Sequence, residues 1–274
     1  MPIRKKMSNE YLDDLLVRMA HHSTAIEGNT LTQADTLSIL IYNYIPRDMS
    51  EREYHEVKNY KKTVDYLLKN EEKMSPKLIK AYHKEIMQNL ADDNGEYKKI
   101  SNIILGASFE TSKPYQVPTL IQEWCDNYNF RMENAKTIEE KIEVIVDQHI
   151  KFEKIHPFSD GNGRTGRMLM IDSCIKENIP PIIIPKEEKG KYINYLSNEN
   201  IKEFTKWGVD LSEKESERIE KFLNKEKVQL ITETKERNPW SKVPKEKDQE
   251  NKVKDQEKKN PWSKKKNNDR GMER

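Results

Sequence analysis

The sequence predicts an all-α protein: a compact helical bundle with a small β-hairpin flap and a disordered C-terminal tail. Three observations predict it. Apolar residues recur at three- and four-residue spacing through most of the first 223 positions. One stretch, residues 97–117, breaks that period between two turn signals. From about residue 224 the composition changes, and almost nothing apolar lies between two copies of Asn-Pro-Trp-Ser-Lys.

Leu12, Leu15, Leu16 and Met19 share one helical face. Thr32 opens a second helix through Leu37, Leu40, Ile41 and Tyr44, ending near Pro46. Ser50 with Glu53 is a capping-box signal for a third, carrying Tyr54, Val57, Val64, Leu67 and Leu68. Ser75-Pro76 starts a fourth. Asp92-Asp93-Asn94-Gly95 and Thr111-Ser112-Lys113-Pro114 are turns, and the stretch around them reads as a hairpin ending at Val117. Thr137 opens a further helix with Ile138, Ile142, Ile145, His149 and Phe152 on one face. Arg164 starts the next, running to Lys176. One short helix around Tyr192 and one or two over residues 201–223 follow. His21 and His22 are adjacent, so on a helix they do not face one site, and they read as surface residues.

Charge separates the chain into parts. The 274 residues carry a net charge of +2. Residues 235–274 hold 14 Lys and Arg against 8 Asp and Glu, leaving the rest mildly acidic. The basic balance therefore belongs to the tail and is no argument for a nucleic-acid binder. The tail repeats Asn-Pro-Trp-Ser-Lys at 238–242 and 260–264, as either a docking peptide or a duplicated linker. Mean hydropathy is −0.99 and no apolar run approaches the ~20 residues of a membrane span. With two cysteines in no metal or disulfide pattern and no secretory leader at the start, a cytoplasmic protein is expected.

The chemistry concentrates in His156-Pro157-Phe158-Ser159-Asp160-Gly161-Asn162-Gly163-Arg164-Thr165-Gly166-Arg167, between two predicted helices. Gly161, Asn162 and Gly163 can turn successive backbone N–H groups onto one anion, and a helix N-terminus begins there. Arg164 and Arg167 lie three apart on that helix. Asp160 offers a hard oxygen to Mg²⁺, and His156 is a candidate general base. Base, acid, nest and two cations within 12 residues point to a polyphosphate site. The glycine spacing excludes the P-loop and the dinucleotide-binding forms.

This segment resembles, without a mismatch, the HxFx[DE]GNGRxxR signature of the Fic family, and the resemblance covers roughly residues 8–210. It implies a protein adenylyltransferase that moves AMP from ATP to a hydroxyl of a target protein. In that reading His156 is the base, Asp160 holds Mg²⁺, Gly161, Asn162 and Gly163 bind phosphates, and Arg164 and Arg167 hold the β- and γ-phosphates. Ser23, Glu27 and Gly28 resemble the family's inhibitory motif, [ST]xxxE[GN], which implies that Glu27 pairs with Arg167 and silences the resting enzyme. Residues 1–30 then form the inhibitory segment, 31–224 the catalytic core with its flap near 97–117, and 225–274 the tail. Tyr192 is a candidate for packing on adenine. The flap is expected to dock the target protein. Self-modification and homo-oligomerisation are compatible with this reading, whereas a membrane or a specific nucleic acid is not expected. Alternatives are removal of AMP, transfer of another nucleotidyl or phospho group at the same site, and a non-catalytic nucleotide-binding regulatory module.

Overall fold

Capping residues set where the helices begin. The structure is a computed structural model and describes residues 3–102 and 111–237, with side chains through 226. Ser8 accepts from the Tyr11 amide and opens α1, Asn9–Ile26. Thr32 with Asp35, and Ser50 with Glu53, form reciprocal capping boxes on α2, Gln33–Leu40, and α3, Glu51–Lys69. Ser75 caps α4, Pro76–Ile86, whose proline sits where an N–H has no helical partner. Then come α5, Val117–Asn134, and α6, Ile138–Ile155, the latter capped by Thr137. α7 spans Asn162–Lys176, α8 Lys189–Ser197 and α9 Ile201–Arg237.

The β-hairpin flap expected over 97–117 is not found. Among the described residues there is no strand. Residues 97–102 have no regular structure, and 103–110 lie outside the described residues. Pro114–Gln116 is a single 3-10 turn that leads straight into α5. Val117, read from the sequence as the end of a strand, is the first of a buried helical stripe with Ile121, Trp124, Cys125, Tyr128 and Met132. Those residues bury only if they share a helix face, and that decides the conformation.

Three smaller departures have local causes. α2 stops at Leu40 rather than near Pro46, and Asn43 beyond it adopts a left-handed φ of 53°. His21 is buried, not at the surface. The disordered tail was expected from 225, but α9 is helical through Arg237, a run rich in Lys and Glu, which favour helix. The remainder of that tail, with both Asn-Pro-Trp-Ser-Lys copies, lies outside the described residues. By contacts the chain divides into two units, Met1–Asn224 and Lys225–Arg274. No helix among the described residues is long and apolar enough to cross a membrane.

α7 is the centre of the first unit. Nearly all its residues from Asn162 to Ile175 are buried, as expected of a helix surrounded on every side. α6, α4 and α1 pack around it, while α3 supports α1 and α4. The signature segment therefore opens the most enclosed helix of the bundle. α1 is tied to α9 through a buried carboxylate. Glu215 accepts from the Tyr11 hydroxyl at 2.6 Å and from Arg18 at 2.5 and 2.9 Å. Asp14 completes the group by pairing with Arg18 and Arg218. Glu215→Ala leaves a buried guanidinium and a buried hydroxyl short of an acceptor, and should cost about 3 kcal/mol in denaturant unfolding. A loss below ~1 kcal/mol would show that Asp14 alone satisfies Arg18.

Candidate active site

α6 ends on His156 in the left-handed region, with φ 52° and ψ 60°. A non-glycine residue there is strained, and such strain persists only where its surroundings enforce it. The His156 Nδ1 lies 3.3 Å from the Glu153 carbonyl. A carbonyl only accepts, so Nδ1 carries the hydrogen and Nε2 presents its lone pair. Burial pulls the imidazole pKa down to about 4. At neutral pH His156 is therefore unprotonated, the state a general base requires.

The loop after His156 is held from several sides. Phe158 is fully buried and stacks on His83, with ring centroids 3.6 Å apart. His83 Nδ1 accepts from the Gly95 amide at 2.8 Å, so its Nε2–H donates to the Asp160 carbonyl at 2.9 Å. Both ends of the Asn162 amide bond the Phe158 backbone, at 2.8 and 2.9 Å. Asn162 thus acts through the shape of the loop, its side chain being spent inside it. Gly161 has φ 78°, and a Cβ on it would stand 2.5 Å from the Met87 sulfur. As the N-cap of α7, Gly161 supplies no side-chain acceptor, so the first amides of α7 keep an anion-binding character.

Asp160 sits at the mouth, half exposed. Its Oδ1 accepts from the Gly161 amide at 2.6 Å and from Arg164 at 3.0 Å, and its Oδ2 from Arg52 at 2.7 Å. Burial pushes its pKa up, but Arg164, Arg52 and the Gly161 amide outweigh that, so the carboxyl stays below its usual range. Arg164 is itself buried between Asp160 and Glu56, the latter at 3.0 Å.

Arg167 is buried and faces three acceptors. Its Nε donates to the Ser23 hydroxyl at 2.9 Å, and its Nη2 to the Ser23 carbonyl at 2.9 Å and to Glu27 at 2.6 Å. Tyr60 donates to the same Ser23 hydroxyl at 2.6 Å, which fixes it as an acceptor toward Arg167. Glu27 is the C-cap of α1, and Gly28 beyond it takes φ 105°, which lets the helix end there. Burial pushes the Glu27 carboxyl up, but the charge and hydrogen bond of Arg167 hold it below its usual range. A Cβ on Gly163 would collide with the Glu27 carboxylate and lie 2.9 Å from Arg167. The pair therefore rests directly on the glycine-rich turn.

The signature segment, its partner Glu27 on α1 and the cap of α7 are now one place in space. Residues 73–172 match the Fic/DOC family. That span carries a Fic domain. It is 30% identical over 204 residues to the Protein adenylyltransferase Fic of Drosophila erecta, covering 71% of this chain and 40% of that protein. With its Drosophila willistoni counterpart it shares 29% over 201 residues, covering 71% and 39%. The chain thus spans about two-fifths of the curated relatives it matches. Among solved structures, Fic-1 from C. elegans superposes with TM-score 0.66 at 26% identity, over 79% of this chain and 68% of that one. A Fic-domain-containing signaling protein from Bacteroides thetaiotaomicron gives 0.62 at 26% identity, over 67% and 71%.

Around the signature segment the sequence-predicted residues fall into two groups. His156, Asp160, Gly161, Gly163, Arg167, Ser23, Glu27 and Gly28 converge on the turn before α7. Tyr192 is instead buried behind Arg167, its hydroxyl 2.8 Å from His149 Nε2 and 3.5 Å from Arg167, with no open ring face for a base. Arg164 lies below the mouth, enclosed by carboxylates. Sequence reasoning passed over Glu56, His83, Tyr60 and Glu153. Their signal was a polar residue inside an apolar helical stripe: Glu56 and Asn59 beside Val57 and Tyr60, and His83 beside Ile79, Tyr82 and Ile86. Burial raises Glu153 to about 8, so this carboxyl is neutral beside Arg167.

The turn admits a sharp test. Gly161→Ala combines a left-handed φ with the Met87 contact and should destabilise the Fic domain by about 1–3 kcal/mol. Gly190→Ala, with nothing within 4 Å of the added methyl, should be neutral or slightly stabilising. Equal losses in urea unfolding would contradict this account of the turn.

Proposed function

We propose that the chain is a protein adenylyltransferase held inactive at rest by Glu27. The observation that carries the reading is the uncapped N-terminus of α7 beside a neutral imidazole with Nε2 free to accept a proton. A target hydroxyl attacks the α-phosphorus of ATP in line. The new P–O bond forms as the bond to pyrophosphate breaks, and the hydroxyl proton goes to His156 Nε2. The α7 amides oppose the charge that builds on the phosphates, which is where most of the rate acceleration in such transfers arises. Asp160 fits a Mg²⁺ ion of the kind bound by one protein carboxylate and completed by phosphates and water, and the ion would neutralise phosphate charge there. Among the described residues no group of three or more protein ligands converges on one point.

Glu27 supports the inhibited resting state. The carboxylate takes the Arg167 guanidinium that the γ-phosphate would need, through a directional charge-assisted bond. Displacement of the substrate by about 1 Å can cost ~10²-fold in rate. The protein's own hydroxyls and those of a separate protein are both acceptors in this reading, in a cytoplasmic setting. A second reading, removal of AMP, is favoured by the ionised state of Glu27, which could orient a water. It differs from the first in requiring Glu27.

Intact-mass spectrometry with ATP and Mg²⁺ tests the proposal. Glu27→Gly should gain AMP mass at least ~10²-fold faster than the parent, and Glu27→Gly with His156→Ala should be silent. Arg167→Ala breaks the same pair but removes the phosphate ligand, and should not activate. If Glu27→Gly gains nothing, the adenylyl-transfer reading fails.

The pH profile provides an independent check. The folded His156 pKa of about 4 lies below the ordinary 6.5, so protonation begins only well under neutral pH. The rate of the Glu27→Gly protein should stay level as pH falls from about 7 to about 5.5, and decline only as it approaches 4. An acid limb centred near 6.5 would show that the base is not the buried His156.

A further inference from the structure

The two arginines of the signature are both engaged inside the protein. The Arg164 side chain is 2% exposed and the Arg167 side chain 5%. Arg52, on the first turn of α3, is 55% exposed and lies over the same loop. Its Nε donates to Glu56 at 3.1 Å and its Nη2 to Asp160 Oδ2 at 2.7 Å, so neither bond uses Nη1. Glu56 is buried, bonded also to Arg164 and to Asn29, and cannot follow a moving partner. It therefore serves as a fixed pivot for Arg52. Asp160 is different: it is half exposed, and its bond to Arg52 is the outermost of its three.

We propose that Arg52 is a phosphate-binding residue of this site, exchanging the Asp160 carboxylate for the polyphosphate of the incoming nucleotide while remaining tethered to Glu56. The inference rests on reading the site as one that binds a nucleoside triphosphate. An exposed arginine–carboxylate pair is weak, because water screens it and two side chains must be held in one geometry. A polyphosphate offers more charge and matches the planar guanidinium with paired oxygens, so the exchange runs toward the phosphate. Were Asp160 to hold Mg²⁺, the same exchange would be favoured, since Arg52 occupies one of its carboxylate oxygens in the resting protein. Arg52 then supplies the mouth of the site with a reachable positive charge, which neither buried arginine provides in the resting state.

Calorimetric titration of the full chain with Mg·ATP, Mg·ADP and AMP tests the proposal. Arg52→Ala should weaken Mg·ATP about tenfold and Mg·ADP by less, and leave AMP within about twofold, since one charge-assisted hydrogen bond to phosphate is lost. Arg52→Lys should recover part of the loss, and the melting temperature should stay unchanged because the side chain is exposed. Equal weakening of ATP and AMP overturns the proposal. So does tighter Mg·ATP binding by Arg52→Ala, which would make Arg52 a plug on Asp160. A parent protein that binds no Mg·ATP overturns both this and the functional reading. Selective weakening of ATP in a protein that never gains AMP mass supports Arg52 and sinks adenylyl transfer alone.

Discussion

A fully enclosed guanidinium has to be matched by acceptors, and the arrangement around Arg167 follows from that requirement. Arg167 leaves the central helix α7 and finds nothing on α7 itself that can accept from it. α1 supplies the acceptors: the Ser23 hydroxyl, the Ser23 carbonyl and the Glu27 carboxylate. α3 adds Tyr60, which orients the Ser23 hydroxyl, and α8 adds Tyr192 behind. An uncompensated buried charge would cost several kcal/mol, so α1 is held where these groups can reach. The same contact that stabilises the bundle therefore covers the glycine turn where a phosphate would bind. On the proposed function, structure and regulation share one guanidinium.

The rest of the site is arranged so that this competition has a defined outcome. His83, Phe158 and Asn162 hold the loop through neutral stacking and hydrogen bonds, and no side chain caps the first amides of α7 that follow it. Burial keeps His156 and His83 uncharged, both pulled down to about 4, and keeps Glu153 protonated. Charge near the turn is thereby concentrated on arginines and their carboxylate partners. An incoming polyphosphate meets partners already satisfied, and it must displace carboxylates rather than water. On the proposed function, such a site is slow at rest and quick once a carboxylate is withdrawn.

Much of this was legible in the sequence where local chemistry dominates. Ser50 with Glu53, and Thr137, announce helix starts because their capping bonds are completed within four residues. The segment from His156 to Arg167 was legible for the same reason: its loop and its cap are contiguous. The hairpin reading of 97–117 failed because Val117 fits a strand end and a helix start equally well, and only the partners of Ile121, Trp124 and Tyr128 decide between them. The burial of Tyr192 and Arg164 was not legible, since sequence reports residue type but not which side of a helix faces the core. Glu56 and Arg52 escaped notice because their importance lies in contacts 108 residues away, with Arg164 and Asp160.

The central claim is that Arg167 is shared between α1 and the nucleotide. The most direct measurement is a crystal structure of the Glu27→Gly protein with a non-hydrolysable ATP analogue and Mg²⁺. The account predicts the Arg167 guanidinium on the γ-phosphate at about 3 Å, with His156 Nε2 facing the α-phosphorus. A γ-phosphate held elsewhere, with Arg167 still bonded only to Ser23, would contradict it.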